Sequence, residues 1–304
     1  MGNMEQATVV QEVLERIDAA AIDGRAHNIR HRQHQLHQLS GALQRNADKI
    51  CEAIGLDSGF DDDEVAFEFS QSINTIRTLY EQLNLQSALD EEYAANNKDN
   101  LSARMPFGIV VIRPGQHCRL FSIISPVATA IAAGNCVIVE IPNSLGHLDS
   151  FLRSELTTSL DPDGFAIVSK AVTVSRLSSD YVVVDQTLSD TTKESSLVSD
   201  SKALTVAIVD RTADVEQAAS AICTARFRFK GRSPYAPDVI MVNEWVRDDF
   251  VSACLKLSSS HAASTVSAKK SGSALNGRTS HYPRDDFTVL FDSCGVRLVE
   301  GTRK

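Results

Sequence analysis

The chain has 304 residues, 43% of them hydrophobic and 23% charged, with a formal net charge of −9. That length is enough for two domains and a sizeable core, and an acidic balance without a basic cluster argues against nucleic acid as a partner. The six cysteines (51, 118, 136, 223, 254 and 294) show no CxxC or zinc spacing, so buried free thiols in a reducing, cytoplasmic setting are expected.

The N-terminal MGNMEQATVVQEV is acidic and has no signal-peptide core. Residues 5–22 and 25–55 are predicted as amphipathic helices; in the second, Leu36, Leu39, Leu43, Ile50 and Ile54 form an apolar stripe. His31, His34 and His37 fall three apart and read as a solvated face. The acidic run from Asp57 to Glu64 reads as a turn and helix start, followed by a long helix over 64–83 and a polar loop over 87–102.

The chain is organised around Gly108 to Pro142. Gly108 to Ile112 is an apolar run that fits a buried strand, broken by Pro114 and Gly115. A helix is predicted over 119–133, with Pro126 as a kink or later start and Gly134-Asn135 as its stop. Cys136 to Ile141 is the next buried strand. Phe121 to Val139 carries no charge over nineteen residues, but Pro126 and Gly134 divide it into helix and strand, which excludes a membrane span. Strand, turn, helix and strand within this length make a βαβ unit, whose parallel sheet places ligands at the strand C-ends.

Further along, a polar turn and helix are predicted over 143–160, strands over 165–168 and 181–185, and a Ser/Thr-rich linker over 186–202. Then come a buried strand over 203–209, a helix over 213–227, a strand over 239–242 and a helix over 244–257. The Ser/Ala-rich tract 258–283 reads as a flexible loop, and two short strands over 287–291 and 296–300 follow.

Residues 126–139, PVATAIAAGNCVIV, and 208–244, IVDRTADVEQAASAICTARFRFKGRSPYAPDVIMVNE, resemble the aldehyde dehydrogenase superfamily. The resemblance covers roughly residues 25–257. It implies an α/β fold with a Rossmann-like parallel sheet domain over 1–202 and a truncated second α/β domain over 203–304. It also implies how far the family's chemistry is matched. Pro234 stands where the nucleophilic cysteine belongs, between Gly231-Arg232-Ser233 and Tyr235-Ala236-Pro237-Asp238. His117 replaces the oxyanion-hole Asn, and Glu140 replaces the ribose-binding Lys. Val184-Asp185-Gln186-Thr187 replaces the glycine turn facing the phosphates, and Asp200-Ser201-Lys202-Ala203 replaces the segment carrying the base.

From these departures the expectation is that NAD-dependent aldehyde oxidation is lost and that no cofactor is bound. The first reading is a cofactor-independent enzyme performing isomerisation, dehydration or cyclisation on a small carbonyl metabolite, with natural-product biosynthesis as its setting by analogy. His117 would be the acid/base, with Glu140 or Asp200 as its partner carboxylate and Tyr235 as a donor. Gln116, Cys118, Arg119, Arg232 and Ser233 would line the substrate site. The alternatives are a non-catalytic pseudoenzyme that binds a partner or ligand, and a remaining NAD(P)-dependent dehydrogenase with Cys118 as the first thiol to test. The resemblance also implies a homodimer.

Overall fold

The computed structural model describes residues 2–92, 105–172, 177–187, 195–198, 204–268, 287–293 and 296–301. The chain divides into two compact units, Met1–Asp200 and Ser201–Lys304.

The first unit opens with helices α1 (Gly2–Ile22), α2 (Ile29–Arg45), α3 (Ala47–Ser58), α4 (Asp62–Gln82) and α5 (Leu85–Glu92). The predicted helix over 25–55 is in fact two, divided at Asn46, and part of the predicted polar loop is α5; residues 93–102 of it lie outside the described residues. Strand β1 (Ile109–Arg113), helix α6 (Arg119–Ala132), β2 (Cys136–Glu140), α7 (His147–Ser159), β3 (Phe165–Val168), β4 (Tyr181–Asp185) and β5 (Ser196–Val198) follow. The five strands form one parallel sheet in the order β3-β2-β1-β4-β5.

The central strands are apolar throughout because both their faces are covered. Val110, Ile112, Val137 and Val139 join a core with α2, α3, α4, α6 and α7. Their neighbours Ile109, Val111, Cys136 and Ile138 face the other way, against Leu14 and Ile17 of α1. Strand periodicity of two distributes each run between the two cores. Helix α1 is held from its side by Asp18, which accepts from the Ser178 and Ser179 N–H groups at 3.0 and 2.9 Å.

Gly108 enters β1 at φ +121°, where a Cβ would meet the Asp180 carbonyl at 2.9 Å. Its N–H donates to Asn135 Oδ1 at 3.0 Å, so the Gly134-Asn135 stop after α6 also sets the start of β1.

Pro126 lies inside α6 without ending it. Proline has no N–H for the carbonyl four residues back, here that of the buried Ser122. Gln186 supplies the missing donor from the end of β4: its Nε2 lies 2.9 Å from the Ser122 oxygen.

The second unit contains β6 (Val206–Val209), α8 (Val215–Phe227), β7 (Val239–Val242), α9 (Arg247–Ala268) and the antiparallel pair β8 (Phe287–Ser293) and β9 (Val296–Gly301). β6 and β7 pair in parallel, and Val209, Ala219, Cys223, Phe250 and Cys254 form a separate small core. Two expectations are corrected here. β6 is covered on one face only, since Ile208 is 78% exposed while Val209 is buried. The tract 258–283 is helical as far as Ala268, because alanine and serine extend a helix without needing an apolar stripe; the rest of it lies outside the described residues.

The Gln186–Ser122 contact gives a prediction. Gln186→Ala should lower stability by about 1 kcal/mol by leaving a buried carbonyl unpaired. In a Pro126→Ala background the new helix N–H serves that carbonyl, and the loss should shrink to under half. Urea unfolding of the four proteins of this cycle measures it.

Candidate active site

The C-terminal ends of β1, β2 and β4 bring three charged residues together. Arg113 donates through Nε to Glu140 Oε2 at 2.9 Å and through an Nη to Asp185 Oδ2 at 3.2 Å. Burial works against the guanidinium charge, but Glu140 and then Asp185 outweigh it and hold the Arg113 pKa raised. Glu140 Oε1 accepts from the Val172 N–H at 2.8 Å. Asp185 Oδ1 accepts from the Thr187 N–H and hydroxyl at 2.8 and 2.7 Å. Both carboxylates are buried.

Next to this triad, the loop between β1 and α6 is held by Arg119. Its guanidinium makes a two-point contact with Asp149 at 2.8 and 3.1 Å and donates to the Pro114 and Gly115 carbonyls, each at 3.0 Å. Cys118 precedes α6 in the left-handed region at φ 46°. Its Sγ lies 3.3 Å from His117 Nε2, and the His117 ring meets Phe60 edge-on at 6.4 Å between centroids.

Two carboxylates from the N-terminal helices anchor the helix starts. Glu68 Oε1 accepts from the Leu120 and Phe121 N–H groups at 2.7 and 3.3 Å, while Glu68 Oε2 is buried with no hydrogen-bond partner among the described residues. Asp57 accepts from the His147 and Leu148 N–H groups at 3.0 and 2.9 Å and from His147 Nδ1 at 2.9 Å. These contacts satisfy N–H groups that helix geometry leaves without partners at the starts of α6 and α7.

A cavity of about 320 Å³ opens among these groups, lined by Ile54, Phe60, Glu68, Gln116, Cys118 and Leu148 among others. Burial lowers the His117 pKa, so its imidazole is neutral at pH 7. Burial, then Glu68 and Glu64, push the Cys118 thiol up to about 12. Burial raises the Glu68 pKa against the two backbone donors. For Asp57 burial acts upward, but the Leu148 and His147 donors prevail and lower it.

The sequence-predicted residues therefore separate. Gln116, His117, Cys118 and Arg119 share one loop, of which Gln116 and Cys118 open on the cavity and Arg119 braces its wall. Glu140 is committed to Arg113 and Val172. Arg232, Ser233 and Tyr235 belong to the second unit, where Tyr235 is 60% exposed and Pro234 turns its carbonyl to the Thr205 hydroxyl at 3.4 Å. Asp200 lies outside the described residues. Sequence reasoning missed Arg113, whose charge at the end of an apolar strand was the available signal, and Glu68, an acid among apolar residues on the buried side of α4.

The residues at the strand ends do not fit a nicotinamide dinucleotide. Glu140 has both oxygens engaged, and Asp185 places a second carboxylate where phosphates would need donors.

Residues 3–170 match the profile of the aldehyde dehydrogenase family. The chain is 26% identical over 297 residues to the 4,4'-diaponeurosporen-aldehyde dehydrogenase of Staphylococcus aureus, covering 90% of this chain and 62% of that protein. It is 30% identical over 164 residues to aldehyde dehydrogenase family 3 member B1 of Bos taurus, covering 52% of this chain and 34% of that one. The chain thus spans less than two thirds of these relatives' length. Among solved structures, the substrate-bound state of Staphylococcus aureus AldH superposes with a TM-score of 0.62 at 20% identity, covering 81% of this chain and 57% of that one. An NAD-dependent benzaldehyde dehydrogenase from Corynebacterium glutamicum gives 0.61 at 15% identity, with 82% and 58% covered. These likenesses show the fold, an α/β protein with a Rossmann-like parallel sheet, as the sequence implied.

The comparisons correct the expectation of lost function. The family is one of enzymes that bind small-molecule substrates, and the relatives are named aldehyde dehydrogenases. Nothing in them supports a loss of activity, a pseudoenzyme, or a cofactor-independent isomerase, dehydratase or cyclase. That expectation treated a family residue missing from its usual position as chemistry missing from the chain. No described helix is long and apolar enough to cross a membrane.

Arg113→Met tests the strand-end triad. Two buried carboxylates lose their cation, and stability at pH 7 should fall by about 3 kcal/mol. Urea unfolding midpoints of the parent and the variant at pH 7 report it.

Proposed function

The chain belongs to the aldehyde dehydrogenase family, and from that premise we propose that it acts on an aldehyde, with Cys118 meeting the carbonyl and His117 as the base beside it. The observation that carries this reading is the 3.3 Å approach of Cys118 Sγ to His117 Nε2 beside a cavity of about 320 Å³. A thiol held up to about 12 is not a preformed thiolate at neutral pH. It needs a base at the moment of attack, and the neutral imidazole is that base. The S–H proton passes to Nε2 as sulfur bonds to the carbonyl carbon, and the imidazolium returns a proton to the carbonyl oxygen. The product is a thiohemiacetal, with no change in oxidation state. The reaction assigned to these residues ends at this adduct.

The division at 202/203 carries over as part of the proposal, with the aldehyde cavity in the first domain and Arg232, Ser233 and Tyr235 in the second. A homodimer is proposed as well, supported by a Rattus norvegicus relative named as dimeric, 23% identical over 297 residues. A cytoplasmic setting is supported by free thiols at Cys51, Cys118, Cys136, Cys223 and Cys254.

Carbon-13 NMR with carbonyl-labelled acetaldehyde tests the adduct. The protein should give a thiohemiacetal resonance that Cys118→Ser removes, and His117→Ala should slow its formation about a hundredfold. A resonance that survives Cys118→Ser overturns the assignment. Reduced nicotinamide formed with NAD or NADP and lost in Cys118→Ser would extend the reading to oxidation. Alkylation of Cys118 by iodoacetamide should rise about tenfold per pH unit up to the thiol pKa, followed by peptide mass spectrometry.

A further inference from the structure

We propose that the cavity beside Cys118 selects short aldehydes without negative charge, and favours those bearing a cationic group. This rests on the reading of Cys118 as the group that meets the carbonyl.

Size sets the first limit. A cavity of about 320 Å³ lies at the lower end of ligand sites and holds roughly ten water-sized groups. Ile54, Phe60, Pro142 and Leu148 give it apolar walls. It suits an aldehyde of a few carbons and is too small to enclose a polyene chain.

Charge sets the second limit. Asp57, Glu68 and Asp149 line the cavity, and Arg119 is the cation in the same lining. Arg119 has at most one N–H left for an anionic ligand, because the other four of its five donors are directed to Asp149, Pro114 and Gly115. The helix starts answer Asp57 and one oxygen of Glu68, each with about half a positive charge. With Glu68 ionised, an excess of about one negative charge is left. It has a definite location: Glu68 is 2% exposed, lines the cavity, and its Oε2 has no partner among the described residues. The sulfur registers the same field, since Glu68 and Glu64 add to burial in raising its pKa. Addition to a carbonyl develops further negative charge on oxygen, so an anionic substrate meets repulsion on approach and again on reaction. A fixed ammonium group is attracted at both points. Gln116, a neutral polar residue, also lines the cavity.

The test is protection of Cys118 from iodoacetamide in the full chain, read by peptide mass spectrometry. Butanal, betaine aldehyde and succinic semialdehyde are compared, each referred to its protection of glutathione in the same buffer. Betaine aldehyde and butanal should protect at concentrations about tenfold or more below succinic semialdehyde. Glu68→Gln keeps an acceptor for Leu120 and removes the charge, so the gap should narrow severalfold; Asp57→Asn is the second variant if that one does not fold. Equal protection by all three overturns the charge selection while leaving the aldehyde reading in place. Protection by none overturns the aldehyde reading and this inference with it.

Discussion

Two carboxylates that end parallel strands on either side of a third cannot both stay buried without a cation. Glu140 closes β2 and Asp185 closes β4, with β1 between them. Arg113 ends β1 and reaches both. The register puts the cation where the sheet needs it: Arg113 pairs directly with Asp185 across the ladder. This fixes the level at which the three strands finish and the direction in which the next loop leaves. It also closes the strand ends, the usual ligand position in an open α/β sheet. The open volume lies instead on the helical side, over the starts of α6 and α7.

Those helix starts depend on residues far away in sequence. Glu68 and Asp57 come from the N-terminal helices, 52 and 90 or more residues before the N–H groups they accept from. Their carboxylates sit at the positive ends of two helices and so hold the N-terminal layer to the sheet layer. Cys118 and His117 lie just ahead of the first of these anchors. The left-handed backbone at Cys118 is retained because Arg119, Glu68 and Gln186 fix the chain on both sides of it. Non-glycine residues accept such a conformation only where the surroundings determine it. The thiol is thus positioned by the same contacts that assemble the unit.

The fold was largely legible in the sequence, for a physical reason. Val110 to Ile112 and Val137 to Val139 are apolar runs because both faces of the sheet are covered, and Gly134 and Pro114 mark their limits. The site was less legible. Loop residues 116–119 follow from the βαβ pattern, but Arg113, Glu68 and Asp57 act through partners that no local window contains. Asp57 reads locally as part of an acidic start to α4; Asp61 fills that role, and Asp57 caps α7 instead. Ile208 reads as buried because its neighbours do, yet a two-stranded sheet leaves one of its faces open. Ser258 to Ala268 lacks periodicity and still folds as helix, since local propensity carries it past Leu257.

The position of Pro234 illustrates why a missing residue does not settle a function. Its ring and carbonyl belong to a turn fixed by Thr205, where the described nucleophile candidates are the Ser233 and Tyr235 hydroxyls. The sequence alone then suggests that aldehyde chemistry has been abandoned. Yet addition to a carbonyl requires a nucleophile, a base within hydrogen-bonding distance and a cavity, not a particular place in the chain. In the proposed reading, Cys118 and His117 from one loop of the first unit, with the cavity beside them, meet those requirements. The acidic surroundings that hold the thiol protonated also make the imidazole necessary. In the proposed reading they also select the charge of the substrate, because one field acts on the sulfur, on the developing oxyanion and on whatever the aldehyde carries.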